Sequence, residues 1–264
     1  MYSFALERPA TLAAAAEVVA RGGQPMAGGQ TLLASLKQRL ANPELLVDLS
    51  GIAELQGIDC TPQRVTIGAM TRHQAVAAHA GVNATIPGLA RLAGGIGDRQ
   101  VRAMGTIGGS LANNDPSACY PSAVLALGAT IRTNRREIAA GDFFRGLYET
   151  ALEPGELIVS VSFPVPQAAA YAKFKQPASR YAMVGVFVAK TSAGARVAVT
   201  GAASVVFRHA GLEAALTRDF SPAAVADVAV GTAGINADLH ASAEYRAQLI
   251  RVQTQRAVQQ ALAG

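Results

Sequence analysis

The period of apolar and polar positions changes several times along the chain, and each change marks an element. Residues 9–20 combine strong helix formers with Pro9 near the first helical position and stop at Gly22-Gly23, which predicts a helix. Residues 24–27 form a short extended piece that runs into Gly28-Gly29-Gln30-Thr31. Leu32, Leu33, Leu36 and Leu40 then recur at helical spacing, so strand, glycine turn and helix follow one another. Residues 45–49 and 64–68 are β-like, and residues 71–79 and 89–94 read as short helices. A β-like run over 157–161 leads to Pro164 and Pro166, which mark a boundary. Beyond it, strands at 172–175, 183–190 and 196–206 precede helices at 210–216, 222–228 and 242–262. This order predicts an α+β protein, with one domain of two subdomains over 1–165 and a C-terminal domain of a three-stranded sheet and helices over 166–264.

Composition narrows the chemistry. The 264 residues are 50% hydrophobic and 16% charged, with 26 glycines and 12 prolines, the balance of a packed protein with many turns. No apolar run reaches the roughly 18 residues of a membrane helix, and the first residues lack the basic and apolar regions of a signal peptide, so a cytoplasmic protein without a membrane span is expected. Two cysteines, Cys60 and Cys119, are too few to hold an iron–sulfur cluster or a four-thiolate zinc site. The four histidines follow no metal-ligand spacing, so no metal site is expected. The net charge of +5 comes from scattered cations, and without tryptophan or a basic stripe it reads as a solvated surface, not a nucleic-acid site.

Two glycine turns stand out, Ala27-Gly28-Gly29-Gln30-Thr31 and Gly105-Thr106-Ile107-Gly108-Gly109-Ser110. Consecutive glycines let backbone N–H groups converge without a Cβ in the way, which suits a pyrophosphate, and Thr31, Thr106 and Ser110 add hydroxyls. A helix beginning near Leu32 would turn its positive end to the same anion. Double glycines also occur at ordinary turns, and the residues alone leave both readings open. No P-loop is present. Gly95-Ile96-Gly97-Asp98-Arg99-Gln100 misses the dinucleotide fingerprint, with Gln100 in place of its third glycine and no strand before it.

The turn at Ala27 to Thr31, the run Ile96-Gly97-Asp98-Arg99-Gln100-Val101-Arg102, and the second turn continued by Leu111-Ala112-Asn113-Asn114-Asp115-Pro116 together resemble the FAD-binding medium subunit of molybdenum hydroxylases. Phe143-Phe144-Arg145-Gly146, Glu153-Pro154-Gly155-Glu156-Leu157-Ile158, Ser179-Arg180-Tyr181-Ala182 and Ala243-Glu244-Tyr245-Arg246 extend the resemblance over essentially the whole chain. It implies a vanillyl-alcohol-oxidase-type FAD-binding domain and a flavoprotein electron-transfer role. Ala27, Gly28, Gly29, Gln30, Thr31 and Leu32, with Thr106, Ile107, Gly108, Gly109 and Ser110, would wrap the FAD pyrophosphate. Ile96 would lie against the cofactor, with Asp115 close by. Ile158 and Lys173 would approach the flavin ring, Ile158 excluding water and the Lys173 ammonium stabilising negative charge, and Tyr181 would cover the ring's exposed face. No catalytic acid or base is implied. The resemblance further implies a separate large molybdopterin subunit and a small 2Fe–2S subunit in a heterotrimer, with electrons leaving FAD for an external acceptor.

One departure is Cys119, which stands where many relatives carry an acid, and it reads as a buried packing residue more readily than as a redox thiol. His73 and His79 are expected at the surface or at helix ends, with no assigned role. Arg132, Arg135 and Arg136 are a candidate docking patch, and Glu244 complements the dipole of the last helix. Two rival readings are a self-sufficient flavin oxidoreductase and a cofactor-free assembly subunit.

Overall fold

The computed structural model describes residues 1–264. The first unit is a small parallel sheet with one helix over it. Strand β1 (Ala5–Glu7) is followed by helix α1 (Leu12–Ala20), β2 (Gln24–Met26), α2 (Leu32–Lys37) and β3 (Leu45–Asp48), and the strands lie in the order β1-β3-β2. Helix α1 begins at Leu12, later than Pro9 suggested, because Thr11 caps it: its Oγ1 accepts from the Ala14 N–H at 3.3 Å. Helix α2 stops at Lys37, so Leu40 lies beyond it and is exposed.

The second unit is an antiparallel sheet carrying a layer of short helices. It comprises β4 (Ile58–Cys60), β5 (Arg64–Gly68), α3 (His73–Ala78), α4 (Ala80–Thr85), α5 (Pro87–Gly94), α6 (Arg99–Met104), α7 (Ile107–Asn113), α8 (Tyr120–Leu127), β6 (Thr130–Thr133) and β7 (Glu137–Ala139). The short helix α9 (Ala140–Phe143), the hairpin β8 (Phe144–Gly146) and β9 (Glu149–Thr150), and β10 (Ile158–Pro164) complete it. The sheet order β4-β5-β10-β6-β7 puts β10 at the centre. Its burial on both faces explains why the β-like run over 157–161 does not alternate apolar and polar positions from the start.

The C-terminal unit corrects the expected three strands to four. Strands β11 (Ala168–Lys175), β12 (Ala182–Thr191), β13 (Gly194–Thr200) and β14 (Phe207–Arg208) form one antiparallel meander. The run expected over 196–206 ends at Thr200, because Gly201 takes φ +82° and turns the chain, and pairing resumes at Phe207. Of the predicted helices, α10 (Ala210–Arg218) and α11 (Ala243–Ala263) form, whereas 222–228 holds only a single 3-10 turn, Ala223–Val225. Helix α11 covers one face of this sheet and joins Leu212, Val225, Leu249, Ile250 and Val258 in a core of its own. The opposite face packs on α5 and α8: Tyr171, Phe187 and Ala198 belong to the same apolar cluster as Leu89, Tyr120 and Val124.

Arg246 joins the layers. Buried at the start of α11, it donates to the carbonyls of Met183 (2.7 Å) and Gly201 (3.0 Å) and pairs with Asp238 at 2.7 Å. Ser242 caps the same helix, its hydroxyl accepting from the Tyr245 N–H, while Glu244 lies in the first turn as expected. The candidate docking patch is partly structural. Arg136 binds Glu156 and Glu153, and Arg132 donates to the Ser160 hydroxyl.

A candidate cofactor cavity between two glycine turns

The first turn links β2 to α2, and its backbone is open for binding. None of the N–H groups from Ala27 to Thr31 donates to another group of the chain, and Thr31 makes no side-chain cap. Gly29 takes φ +69°, and Gly28 lies so close to the second turn that a Cβ there would collide with the Met104 carbonyl and the Gly105 backbone. The two glycine turns are therefore in direct contact.

The second turn has a different job from the one its glycines suggest. The Ile107 N–H donates to the Thr71 carbonyl at 3.2 Å, and that of Gly108 donates to Ala69 at 2.8 Å. The Gly109 N–H goes to the Thr106 Oγ1 at 3.1 Å, which caps α7, and that of Ser110 goes to the Thr106 carbonyl. Two of its amides thus seat α7 on the segment after β5, and two more close the first turn of α7 on Thr106. Gly108 is glycine because a Cβ would come within 2.6 Å of the Ala69 Cβ. What this turn offers a ligand is close backbone approach and the hydroxyls of Thr106 and Ser110.

Between and beyond the turns lies a cavity of about 480 Å³. All the residues predicted to bind a cofactor line it except Ile107, whose side chain is completely buried in the core because the first turn of α7 points it inward. Ile96 lies at one wall, and the near-miss motif around it is a helix start: Gly97 takes φ +48° and the Asp98 carboxylate caps α6 by accepting from the Val101 N–H at 2.9 Å. Arg102 holds this loop by donating to the Ile96 and Gly97 carbonyls. Asp115 accepts from the Ser117 N–H at 2.8 Å and from the Tyr148 hydroxyl.

At the other end, Ile158 presents an apolar wall beside Leu152 and Leu157. The Lys173 ammonium donates to the carbonyls of Gly95 (2.9 Å) and Arg180 (3.1 Å) and to the Cys119 thiol (3.4 Å), so it ties the end of α5, the start of α8 and the 176–181 segment together. Cys119 is buried in the core cluster and also lines the cavity, which makes it a packing residue with one face toward the ligand space. Tyr181 is 47% exposed at the mouth, and burial, then the Asp115 and Tyr148 charges, push its phenol upward in pKa.

Two histidines part ways. His79 sits at a helix end, its Nδ1 accepting from the Val82 N–H at the start of α4. His73 also sits at a helix end, as the first residue of α3, but it is not at the surface: it is 4% exposed and lines the cavity, because α3 packs inward against α5 and α6. Sequence reasoning also missed Arg180 and Glu156 at the cavity wall. The signals for them were weak: Arg180 has φ +61°, invisible in sequence, and Glu156 depends on a distant arginine.

The family described as the FAD binding domain in molybdopterin dehydrogenase matches residues 2–166, which is the part of the chain that builds both turns and most of the cavity. The chain belongs to this family. It is 36% identical to the carbon monoxide dehydrogenase medium chain of Afipia carboxidovorans over 280 aligned residues, covering 99% of this chain and 97% of that one. Reconstituted CO dehydrogenase from Oligotropha carboxidovorans contains a chain of the same fold, with a TM-score of 0.91, 34% identity and coverage of 99% and 98%. Quinoline 2-oxidoreductase from Pseudomonas putida 86 gives 0.89 and 29%, covering 100% and 98%. FAD is the cofactor of this family's domain, and the donors present fit it: free amides at the first turn, hydroxyls at the second and an apolar wall at Ile158.

Proposed function

We propose that this chain is the flavin-bearing electron-transfer subunit of a molybdenum hydroxylase, acting in the cytoplasm with a large molybdopterin subunit and a small 2Fe–2S subunit. The observation that carries the reading is the run of five unpartnered amides at residues 27–31, set against a second glycine turn at the edge of a cavity of about 480 Å³. These amides have no acceptor in the chain, and an anionic pyrophosphate satisfies them with charge-assisted bonds. FAD bound there supplies a redox centre able to pass electrons from partner clusters to an external acceptor. The chain's residues do the rest. Ala27 to Thr31 hold the phosphates, Thr106 and Ser110 add hydroxyls, Ile158 keeps water from the ring and Lys173 fixes the surrounding walls. No side chain is assigned a proton-transfer step.

The test is purification with whatever subunits accompany the chain, followed by a visible spectrum and chromatography of the acid-released cofactor. The expected result is FAD at about one per chain, with a large subunit and a cysteine-rich small one, and loss of most FAD in Gly28→Val. An active lone chain would favour a self-sufficient oxidoreductase, and a colourless complex that takes up no FAD would reduce the chain to an assembly role.

A further inference from the structure

His73 is the feature that the flavin reading does not use. It is the first residue of α3, its ring lines the cavity, and its Nδ1 is buried with no hydrogen-bond partner in the chain. An unpaired buried polar atom is costly, and an apolar side chain would fill the same volume without that cost. Its position is where the two glycine turns meet. The His73 N–H donates to the Gly105 carbonyl at 2.9 Å, and its Nε2 lies so near the Gly105 Cα that a Cβ there would approach within 2.6 Å. Gly105 in turn touches Gly28, so imidazole, second turn and first turn form one contiguous wall.

The groups facing His73 explain its state. Arg102 comes from α6, and the Tyr120 ring of α8 lies 5.3 Å away with its own hydroxyl buried and unpartnered. Burial, then the Arg102 charge, lowers the imidazole pKa to about 4, so at neutral pH one ring nitrogen carries a proton and the other a lone pair.

We propose that His73 holds the cofactor, its imidazole hydrogen-bonding an oxygen of the phosphate-bearing chain of FAD; the inference rests on the flavin reading above. The neutral ring adds a directed donor beside backbone amides without placing a second cation next to Arg102. Nδ1 has no surface open to the cavity, so Nε2, beside Gly105, is the ring nitrogen that reaches the cofactor.

Three substitutions separate holding from packing. Asn places a polar atom near the position of Nδ1, Gln places one near Nε2, and Phe fills the volume with neither. The full chain, with the subunits that co-purify with it, is stripped of flavin and titrated with FAD by flavin fluorescence. His73→Phe is expected to weaken FAD binding by about tenfold to a hundredfold, the span of one hydrogen bond to a charged group, with His73→Gln recovering most of it and His73→Asn less. The melting temperature of each flavin-free variant separates a binding defect from a folding one. Should His73→Phe fail to fold, the imidazole 15N resonances of the wild-type protein decide, since they shift on FAD addition only if the ring meets the cofactor. His73→Phe binding as wild type does, or unmoved imidazole resonances, overturns the proposal and assigns the two orphaned atoms to an internal water bridging His73 and Tyr120. Wild-type protein that takes up no FAD overturns the flavin reading instead, a result distinct from FAD binding that ignores residue 73.

Discussion

Glu156 shows how much one side chain can stabilise a wall of this cavity. Its carboxylate accepts from the Arg136 guanidinium at 2.9 Å, from the Thr133 hydroxyl at 2.7 Å and from the Glu153 N–H, and the first of these leads in drawing its pKa down to about 2. A lowered carboxylate stabilises the fold at pH values above its unfolded pKa, near 4.5, and the contribution is lost as the pH falls toward about 2. Arg136 is 41% exposed, so solvent screens the pair and the stabilisation is much smaller than the pKa shift alone would imply. Chemical denaturation of wild type and Glu156→Gln should therefore differ most above pH 5 and converge between pH 4.5 and 2; a constant gap across that range would refute the assignment. None of this was legible in Glu153-Pro154-Gly155-Glu156, since the partner is twenty residues away. The burial of His73 was hidden for the same reason: it comes from α5, α6 and α8 closing over it, whereas local spacing says only that it starts a helix.

At the scale of elements, the two glycine turns look alike in sequence and behave differently in the fold. Both positions were legible, because consecutive glycines beside apolar runs are a strong local signal. The division of labour was not, because it depends on Ala69 and Thr71, whose carbonyls take the Ile107 and Gly108 amides. The same neighbour turns Ile107 into a core residue. Thr106 and Thr31 each precede a helix, but only Thr106 caps one, so Thr106→Ala should cost about 1 kcal/mol of stability whereas Thr31→Ala should cost almost none. Urea melts of the flavin-free proteins would show this, and equal losses would contradict the observed hydrogen bonds. Chain direction after Thr200 was equally hidden: the fourth C-terminal strand follows a glycine-turned loop and is two residues long.

For the whole molecule, Pro164 ends β10 and Pro166 lies between it and β11, where the sequence suggested a boundary. The boundary divides the strands but not the core. Tyr171, Phe187, Ala189 and Ala198 of the C-terminal sheet pack in one cluster with α5 and α8, and the Thr200 hydroxyl donates to the carbonyls of Pro116 and Ala118. Fragments 1–165 and 166–264 made separately should therefore aggregate or stay partly unfolded, and should recover a cooperative melt only when refolded together. Two sharp independent transitions would show instead that each half is stable alone. Lys173 is the corresponding tie at the cavity: it sits on a C-terminal strand and reaches the Gly95 carbonyl and the Cys119 thiol across the boundary.

The contrast between the turns also bears on how the chain ages in a cell. The second turn is hydrogen-bonded to its neighbours whether or not a cofactor is present, so it is built as the protein folds. The first has no such anchoring for its amides, and its order depends on what occupies the cavity. A copy that loses its flavin is expected to keep most of its architecture and to loosen at residues 27–31. Limited proteolysis is therefore expected to cut the flavin-free chain first near residues 27–31 and to slow when FAD is added, tying the lifetime of the subunit to its cofactor supply.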